Sequence, residues 1–497
     1  MRFGKLILIE YRIRKIEMRL VRLSAVAFAA AALAVSAEAE TKVMLFFDTE
    51  DYTCDRSNDA IRDIANLLTE EGVRGNFNIV GFLALRLVEL NRQDVIAALK
   101  PHVIGTQTLY HSRHPDIAEL GDNPSYERAY RETMRDEAKG LGMLEAVFGE
   151  DSVIFACPPG NSVSAVAFDV YSDLGIPFNA ATGFYGAPMG GGLYGAGLLV
   201  RGGREVNGLW YFNQCHVPYY NDFSLESMIP REDRPGPDIK KALDRMAAFD
   251  LANLYMHPHM AVKTAHWDGP NYRYGNLCPW RQWKQVADRP PEVTAGFYRN
   301  FRDFVRAVKA DPRFEVTDLA AMKDAIRPRR TITAAEIPAI RAALAKDFNC
   351  IREPASWSVA DAFQAAVRLL RGEKEYVPGK VYGFLARPKG VESRTEVRAD
   401  DLRAAAATLD LSTFIPPSIS VGGRAIGPAD FLFAALEVLE TRTEKVTVAP
   451  REQLGSFKEV PHLPDMNISG SWVHTKAFKD RCLTERLRLQ LWTLRIE

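Results

Sequence analysis

The most constraining feature of this sequence is a regular alternation between short apolar runs and amphipathic segments of helical period over residues 42–327. The first run precedes a helical segment at residues 58–71, which Ser57 can cap and Gly72 can end. A helix is also expected over residues 82–100, and apolar runs predict strands at residues 43–47, 76–80, 103–104, 153–156, 253–256 and 314–316. Strands that alternate with helices pair in parallel, so the pattern predicts an α/β fold.

Two regions do not follow this alternation of strands and helices. Residues 187–237 are rich in Gly and Pro, and we expect an inserted loop system there with little regular structure. After residue 330 the sequence becomes rich in Ala, and helices are predicted at residues 358–370, 400–409 and 429–439. Residues 331–497 are therefore predicted to form a smaller, mainly helical C-terminal domain, with an apolar tail that docks on a core.

The first forty residues read as a targeting segment. An uncharged run follows Arg19 and Arg22, and Ala37-Glu38-Ala39 matches a signal-peptidase site. Residues 1–39 are thus predicted to be a signal peptide, with Met18 an alternative true start and an uncleaved anchor helix the competing interpretation. Residues 40–330 would then be the main domain of a secreted or periplasmic protein, with no stable membrane span after cleavage of the leader.

Composition excludes some classes of partner. The 63 basic and 63 acidic side chains give a formal net charge of zero, which removes the electrostatic case for nucleic acid and leaves a neutral glycan compatible. Six scattered cysteines in 497 residues do not form a disulfide framework, and no Cys-x-x-Cys occurs. Unpaired thiols are the main expectation, and a bond between Cys54 and Cys157 is the alternative.

Three short segments place carboxylates or imidazoles at the ends of predicted strands. Asp48, Glu50 and Asp51 follow the first strand, and His257 follows the run at residues 253–256. In the third segment, His111 and His114 come after the strand at residues 103–104 and are spaced so that both can reach one metal ion. Functional groups gather at the carboxyl ends of parallel strands, so convergence would supply a divalent metal, a general base and a general acid.

The order of these segments resembles the polysaccharide deacetylase family, which is built on the NodB homology domain. The resemblance rests on Phe47-Asp48-Thr49-Glu50-Asp51, Pro158-Pro159-Gly160 and Leu254-Tyr255-Met256-His257, and Trp267-Asp268-Gly269 is similar to a segment of long secreted bacterial members. It implies a distorted parallel (β/α) barrel of NodB type that covers residues 42–327.

The resemblance also implies roles for individual residues. Asp48 would be the general base and His257 the general acid, while Glu50 or Asp51 would bind a divalent metal, expected to be zinc, together with His111. Two positions depart from the family pattern: Gln107 stands where a metal-binding histidine is expected, and Ala156 stands where an arginine would orient the base. An amide oxygen is a poorer zinc ligand than imidazole, so the site is expected to be weakened unless His114 compensates.

These expectations define a leading function and its rivals. The leading interpretation is a secreted metal-dependent amidohydrolase that removes N-acetyl groups from a polysaccharide or cell-wall glycan. The backbone near Pro159 and Gly160 would stabilise the anionic intermediate, and aromatic side chains would stack on sugar rings, namely Trp210, Tyr211, Trp267 and Tyr272. The alternatives are a catalytically inactive glycan- or cell-wall-binding protein on the same fold, and a metal-dependent hydrolase of another linear amide.

Overall fold

A computed structural model describes residues 41–159, 164–181, 204–206, 208–213, 224–232, 234, 236–272, 279–326, 328–457 and 478–496. The predicted signal peptide, Gly160 and much of the predicted loop region lie outside these ranges.

Ten strands of the described residues form one twisted sheet. The strands run in the order β16-β6-β7-β5-β4-β3-β2-β1-β8, and β9 pairs with the amino-terminal end of β1. Pairing is parallel from β8 through β1 to β5 and on to β7, and it is antiparallel at β6 and β16. These strands are β1 (Thr41–Thr49), β2 (Asn76–Ile79), β3 (Val103–Thr106), β4 (Val153–Ala156), β5 (Phe178–Ala181), β6 (Arg204–Val206), β7 (Leu209–Asn213), β8 (Leu251–Met256), β9 (Phe314–Val316) and β16 (Arg495–Ile496).

Helices connect these strands and cover the sheet. They are α1 (Asp55–Glu70), α2 (Gly81–Glu89), α3 (Gln93–Leu99), α4 (Ile117–Gly121), α5 (Tyr126–Phe148), α6 (Ala165–Asp173), α7 (Ile239–Met246), α8 (Gly269–Tyr272), α9 (Pro291–Ala310) and α10 (Leu319–Ala325). The open, mostly parallel sheet with its covering helices is a distorted (β/α) barrel, which confirms the predicted fold class.

The C-terminal part combines helices with small hairpins. Its helices are α11 (Ile337–Lys346), α12 (Val359–Leu370), α13 (Ala399–Thr408), α14 (Pro428–Thr441) and α15 (Leu483–Leu489). Two-stranded antiparallel sheets lie between them, formed by β10 (Ile332–Thr333) with β11 (Glu375–Tyr376), β12 (Thr395–Arg398) with β15 (Lys445–Val448), and β13 (Ile419–Val421) with β14 (Arg424–Ile426). The mainly helical character predicted for this region is confirmed.

Strand β1 lies at the centre of the core and sets the position of the site. Phe47 stacks on Phe77 of β2 with ring centroids 4.6 Å apart, and Phe46 packs edge to face on Phe155 of β4 at 5.9 Å. A Cβ at Gly105 of β3 would meet the Phe155 ring at 2.4 Å, so any larger residue would force this ring or the backbone to shift. Tight packing on both faces of β1 fixes the backbone from which the acidic segment emerges.

Several local predictions were wrong. The first helix begins at Asp55 after an N-cap at Cys54, because the Ser57 hydroxyl donates to a carboxylate instead of capping. The helix expected over residues 82–100 is two helices, α2 and α3, separated near Asn91, which has a φ of 53°.

The region expected to be irregular contains β6 and β7 among its described residues. Trp210 of β7 pairs in register with Phe178 of β5, so the main sheet continues through this part of the chain. Short strands interrupted by Gly gave no continuous apolar run that would have revealed them.

The cysteine alternative is also wrong: no disulfide bond joins Cys54 and Cys157. At the end of the chain, β16 pairs with β6, so the apolar tail docks as predicted and does so as an edge strand of the main sheet. No helix among the described residues is long and apolar enough to cross a membrane.

Candidate active site

The register of β1 with its neighbours brings the predicted catalytic pair together. Met256 at the end of β8 pairs with Phe47, so His257 follows at the level of Asp48. The Nε2 atom of His257 lies 3.6 Å from Asp48 Oδ2, and both side chains are largely buried. On the other side of β1, Asn78 of β2 pairs in register with Asp48 and donates from Nδ2 to Asp48 Oδ1 at 2.8 Å.

Asn78 orients Asp48, a role to which no residue could be assigned from the sequence. With alanine at position 156, no side chain from that position reaches the proposed base, and the Asn78 amide instead fixes one oxygen of Asp48. The second oxygen therefore faces His257. An asparagine in a buried strand was the available signal, since a buried polar side chain needs a partner.

Glu50 is the centre of the cluster. Its Oε1 atom lies 2.9 Å from His111 Nε2 and 3.6 Å from His257 Nε2, and it accepts a hydrogen bond from Gln107 Nε2 at 3.1 Å. The indole N–H of Trp267 donates to the other oxygen, Oε2, at 2.9 Å. Both oxygens of this buried carboxylate are thus surrounded by nitrogen atoms from three separate segments of the chain.

Each of the two imidazoles that face Glu50 is held by a second carboxylate. His257 Nδ1 lies 2.7 Å from Oε1 of Glu226, which belongs to a short 3₁₀ segment at Leu225–Met228. His111 Nδ1 lies 3.2 Å from Asp268 Oδ2. In both cases the carboxylate orients the ring so that Nε2 points towards Glu50.

Burial and charge set the ionisation of this cluster. Burial raises the pKa of Asp48 to about 6, although the neighbouring His257 works against that rise. Burial also works to raise the pKa of Glu50, but the positive charges of His111 and His257 outweigh it and hold that pKa well below its ordinary value.

The pKa values of the two imidazoles rise, although burial alone would lower them. Burial would lower their pKa values, but the attraction of Glu50 and of the carboxylate behind each ring raises the pKa of His111 and of His257 to about 10. Both rings therefore hold an extra proton at neutral pH when no cation competes for the carboxylates.

The structure does not bring Asp51 or His114 into the cluster. Asp51 turns towards the start of α1, where Oδ1 accepts from Thr53 and Oδ2 accepts from Ser57 at 2.5 Å. His114 forms a separate pair with Glu119 of α4, with 2.7 Å between Nδ1 and Oε2. Of the two candidate acids, Glu50 lies in the cluster and Asp51 outside it, and His114 also lies apart from Gln107 and Glu50 in its own pair.

Two of the four predicted sugar-stacking residues are not surface platforms. Trp210 and Trp267 are buried, with 5% and 3% of their surfaces exposed, so both belong to the core. Pro159 is buried and, as a proline, has no backbone N–H to offer an oxyanion. Gly160 and the side chains of Tyr211 and Tyr272 lie outside the described residues.

Sequence reasoning missed Glu226, Asp268 and Asn78. Glu226 comes from the region that was expected to be irregular, and Asp268 was noted only as part of a Trp-Asp-Gly segment. His259 is another unassigned residue: it is 2% exposed, and neither ring nitrogen has a hydrogen-bond partner in the described part of the chain. Its ring centroid lies 5.5 Å from that of His257.

No protein-family model matches this chain, and no curated protein matches it significantly. Among solved structures, the chain is similar to a 4-alpha-glucanotransferase from Thermococcus litoralis, at 11% identity and a TM-score of 0.37 over 58% of this chain and 41% of that one. It is similar to a putative polysaccharide deacetylase from Mycobacterium smegmatis, at 15% identity and a TM-score of 0.36 over 58% of this chain and 91% of that one.

A third similar structure is a CE4 family pseudoenzyme from Bacillus anthracis, at 14% identity and a TM-score of 0.21 over 29% of this chain and 43% of that one. The chain therefore spans less than half the length of the glucanotransferase and of the pseudoenzyme. Polysaccharide deacetylases, whose motifs the sequence resembles, are among its structural neighbours. Sequence identities of 11–15% carry no information about the activity of this chain.

Proposed function

We propose that this protein is a metal-dependent hydrolase that removes N-acetyl groups from a polysaccharide. The observation that carries the proposal is the imbalance of charge in the buried cluster. Four carboxyl groups, those of Asp48, Glu50, Glu226 and Asp268, contact only two imidazoles, those of His111 and His257. Even with both imidazoles protonated, two negative charges remain, which favours a cation at this place. A divalent ion that binds His111 would displace the Nε2 proton of that ring and leave one net negative charge on these groups.

The donor set fits a metal such as zinc. Ligand atoms of Asp48, Glu50 and His257 lie within 4.8 Å of one another, which makes a group of two carboxylates and one imidazole. From this group we assign only Glu50 to the metal, and we add His111 and the weaker ligand Gln107, whose nitrogens lie 2.9 and 3.1 Å from Glu50 Oε1. Asp48 and His257 remain beside the ion for proton transfer. When bound, the ion would polarise the amide carbonyl and acidify a water molecule.

Gln107 is the member of this set that must change most. Its amide nitrogen faces Glu50, whereas its Oε1 atom is buried and has no hydrogen-bond partner among the described residues. Only the oxygen can bind a cation, so the amide group has to turn over when the metal enters. This rearrangement, together with the weaker donor, leads us to expect a lower zinc affinity than a histidine would give.

The proton-transfer roles follow from the contacts of the two remaining side chains. Asn78 holds one oxygen of Asp48 and the other faces His257, and a pKa of about 6 makes this carboxyl a proton acceptor at neutral pH. His257 is held by Glu226 and keeps its proton at neutral pH, so it can protonate the departing amine. Base and acid are 3.6 Å apart, close enough to act on one substrate group.

The second candidate function is a glycan-binding protein that has lost catalysis. It is favoured by the saturation of Glu50, whose two oxygens are already contacted by the nitrogens of Gln107, His111 and Trp267. A carboxylate with that many donors can remain buried without a metal. Hydrolysis of another linear amide remains a third proposal on the same catalytic groups.

One experiment separates these proposals. The mature protein is purified, its metal content is measured, and acetate release from N-acetylated oligosaccharides is followed with and without added zinc, with Asp48→Asn as the inactive control. The deacetylase proposal requires zinc-dependent acetate release that Asp48→Asn abolishes. Zinc binding without acetate release points to another amide substrate, and the absence of both metal and acetate release would leave the binding protein.

A Gln107→His variant refines the outcome. If the native site is only weakened, this variant binds zinc more tightly than the wild type and releases acetate faster. No gain in either quantity would contradict the assignment of Gln107 to the metal site. Export is a separate proposal, tested by the amino terminus of the mature protein: cleavage after Ala39 would leave Glu40 as the first residue.

A further inference from the structure

A dipeptide that is distant in sequence contacts two of the three residues assigned to the metal. Trp267 and Asp268 follow β8 by ten residues or more, and only 3% and 1% of their surfaces are exposed. Trp267 contacts Glu50, which lies 217 residues earlier in the chain, and Asp268 contacts His111. Two adjacent residues therefore reach two proposed ligands that follow two different strands, β1 and β3.

The tryptophan determines which oxygen of Glu50 is available. Its indole N–H donates to Oε2 at 2.9 Å, which leaves Oε1 directed at His111 and Gln107. The indole itself is fixed by packing, because its ring centroid lies 4.8 Å from that of Tyr52 and 5.1 Å from that of Trp283. A donor that cannot move holds the carboxylate in one orientation.

The aspartate determines which nitrogen of His111 is available. Asp268 Oδ2 lies 3.2 Å from His111 Nδ1, at ion-pair distance, and it accepts a hydrogen bond from the Ser112 hydroxyl at 2.6 Å. A carboxylate at Nδ1 keeps a proton on that nitrogen and leaves Nε2, 2.9 Å from Glu50 Oε1, as the atom that can bind a metal. Without this acceptor the ring could rotate or take the other tautomer.

We propose that Trp267 and Asp268 are positioning residues, which present Glu50 Oε1 and His111 Nε2 to one metal ion. The inference rests on the proposed metal-dependent function and deepens it. It also gives Trp267 a different task from the sugar stacking that the sequence suggested. The partners of metal ligands commonly change metal affinity by about 10–100-fold when they are lost.

The test measures zinc affinity by competition with a chromophoric chelator and, independently, the absorption spectrum of the cobalt-substituted protein. Asp268→Asn keeps the shape of the side chain, but its amide can donate to Nδ1 and favour the wrong tautomer of His111. Trp267→Phe keeps an aromatic ring and removes the N–H. Each variant is expected to bind zinc about 10–100-fold more weakly and to change the cobalt spectrum.

Matched controls make the same kinds of substitution at residues whose partner is not Glu50. Glu119→Gln makes the same chemical change behind His114, with 2.7 Å between His114 Nδ1 and Glu119 Oε2. Trp357→Phe removes a buried indole N–H that donates to the Arg330 carbonyl at 2.8 Å in another part of the chain. Both controls are expected to keep wild-type zinc affinity, and urea denaturation checks that all four variants are folded.

The possible outcomes separate this inference from the function on which it rests. A wild-type protein that binds no zinc would overturn both. A wild-type protein that binds zinc, with Asp268→Asn and Trp267→Phe equal to it in affinity and cobalt spectrum, would overturn the positioning role alone. Equal losses in the target and control variants would also overturn it, because the effect would then be general destabilisation.

Discussion

The buried ion pair between Arg495 and Asp361 should be among the most costly contacts to break. Arg495 Nε and Nη2 donate to the two oxygens of Asp361 at 2.6 and 2.7 Å, and the two side chains are 1% and 0% exposed. Asp361 also accepts from Ser358 and Tyr376, and Arg495 donates to the carbonyl of Gly379. The pair joins the terminal strand β16 to helix α12 of the C-terminal part.

The Arg495→Met variant keeps much of the apolar stem and removes the charge. It leaves Asp361 as a buried carboxylate with hydrogen bonds but no counter-ion, and breaking one side of such a pair costs about 3–5 kcal/mol. The pKa of Asp361 also determines how the stabilisation by this pair depends on pH. The pKa of Asp361 is lowered in the folded protein, so the pair contributes its full stabilisation above pH 3.8, and that stabilisation is lost as pH falls through the lower, folded value.

Urea denaturation at pH 7 measures this cost. The matched control is Arg387→Met, because Arg387 pairs with Glu485 at the surface and such pairs contribute about 0.2–1 kcal/mol. Replacing both partners, as Arg495→Met with Asp361→Leu, should destabilise less than Arg495→Met alone, since no uncompensated charge remains. A loss of less than about 1 kcal/mol for Arg495→Met would refute the reasoning.

Three further predictions concern other parts of the molecule. Glu137→Gln should remove a pH dependence of stability. Burial raises the pKa of Glu137 from 4.5 to about 8, so the wild-type protein loses stability as pH rises between those values. The urea midpoint is measured at pH 5 and at pH 8, and an equal change between the two pH values in the wild type and the variant would contradict this. Gly105→Ala should destabilise by about 1–3 kcal/mol, because the added methyl group meets the Phe155 ring, and an unchanged melting curve would contradict this. Glu226→Gln should lower the rate of acetate release by about 10–100-fold without changing zinc content, since Glu226 orients the proton donor His257; loss of zinc would show instead that His257 binds the metal.

The parts of the fold that could be predicted from the sequence are those with local signals. Continuous apolar runs gave β1, β4 and β9, and periodic apolar residues gave α12 and α14. Strands β6 and β7 gave no such signal, because they are short and lie within a Gly-rich region. The pairing of β16 with β6 depends on a contact between distant parts of the chain, which no local pattern encodes.

The residues of the site also divide into those with a local sequence signal and those that depend on contacts between distant segments. Asp48 and His257 were predicted to converge because they follow strands that pair directly, and the structure places them 3.6 Å apart. Asp51 was uncertain because the face of a residue is undefined once a strand has ended, and its carboxylate contacts Ser57 instead. Glu226 and Asp268 could not be assigned, since their roles exist only through tertiary contacts with histidines from other segments.

The most direct test of the account is the zinc stoichiometry of the wild-type protein and of a Glu50→Gln variant, measured after equilibration with zinc and removal of the excess. Glu50 contacts Gln107, His111, His257 and Trp267, so the proposed metal site depends on its charge. The account predicts one equivalent of zinc in the wild type and none in the variant. No zinc in the wild type, or equal zinc in both proteins, would contradict it.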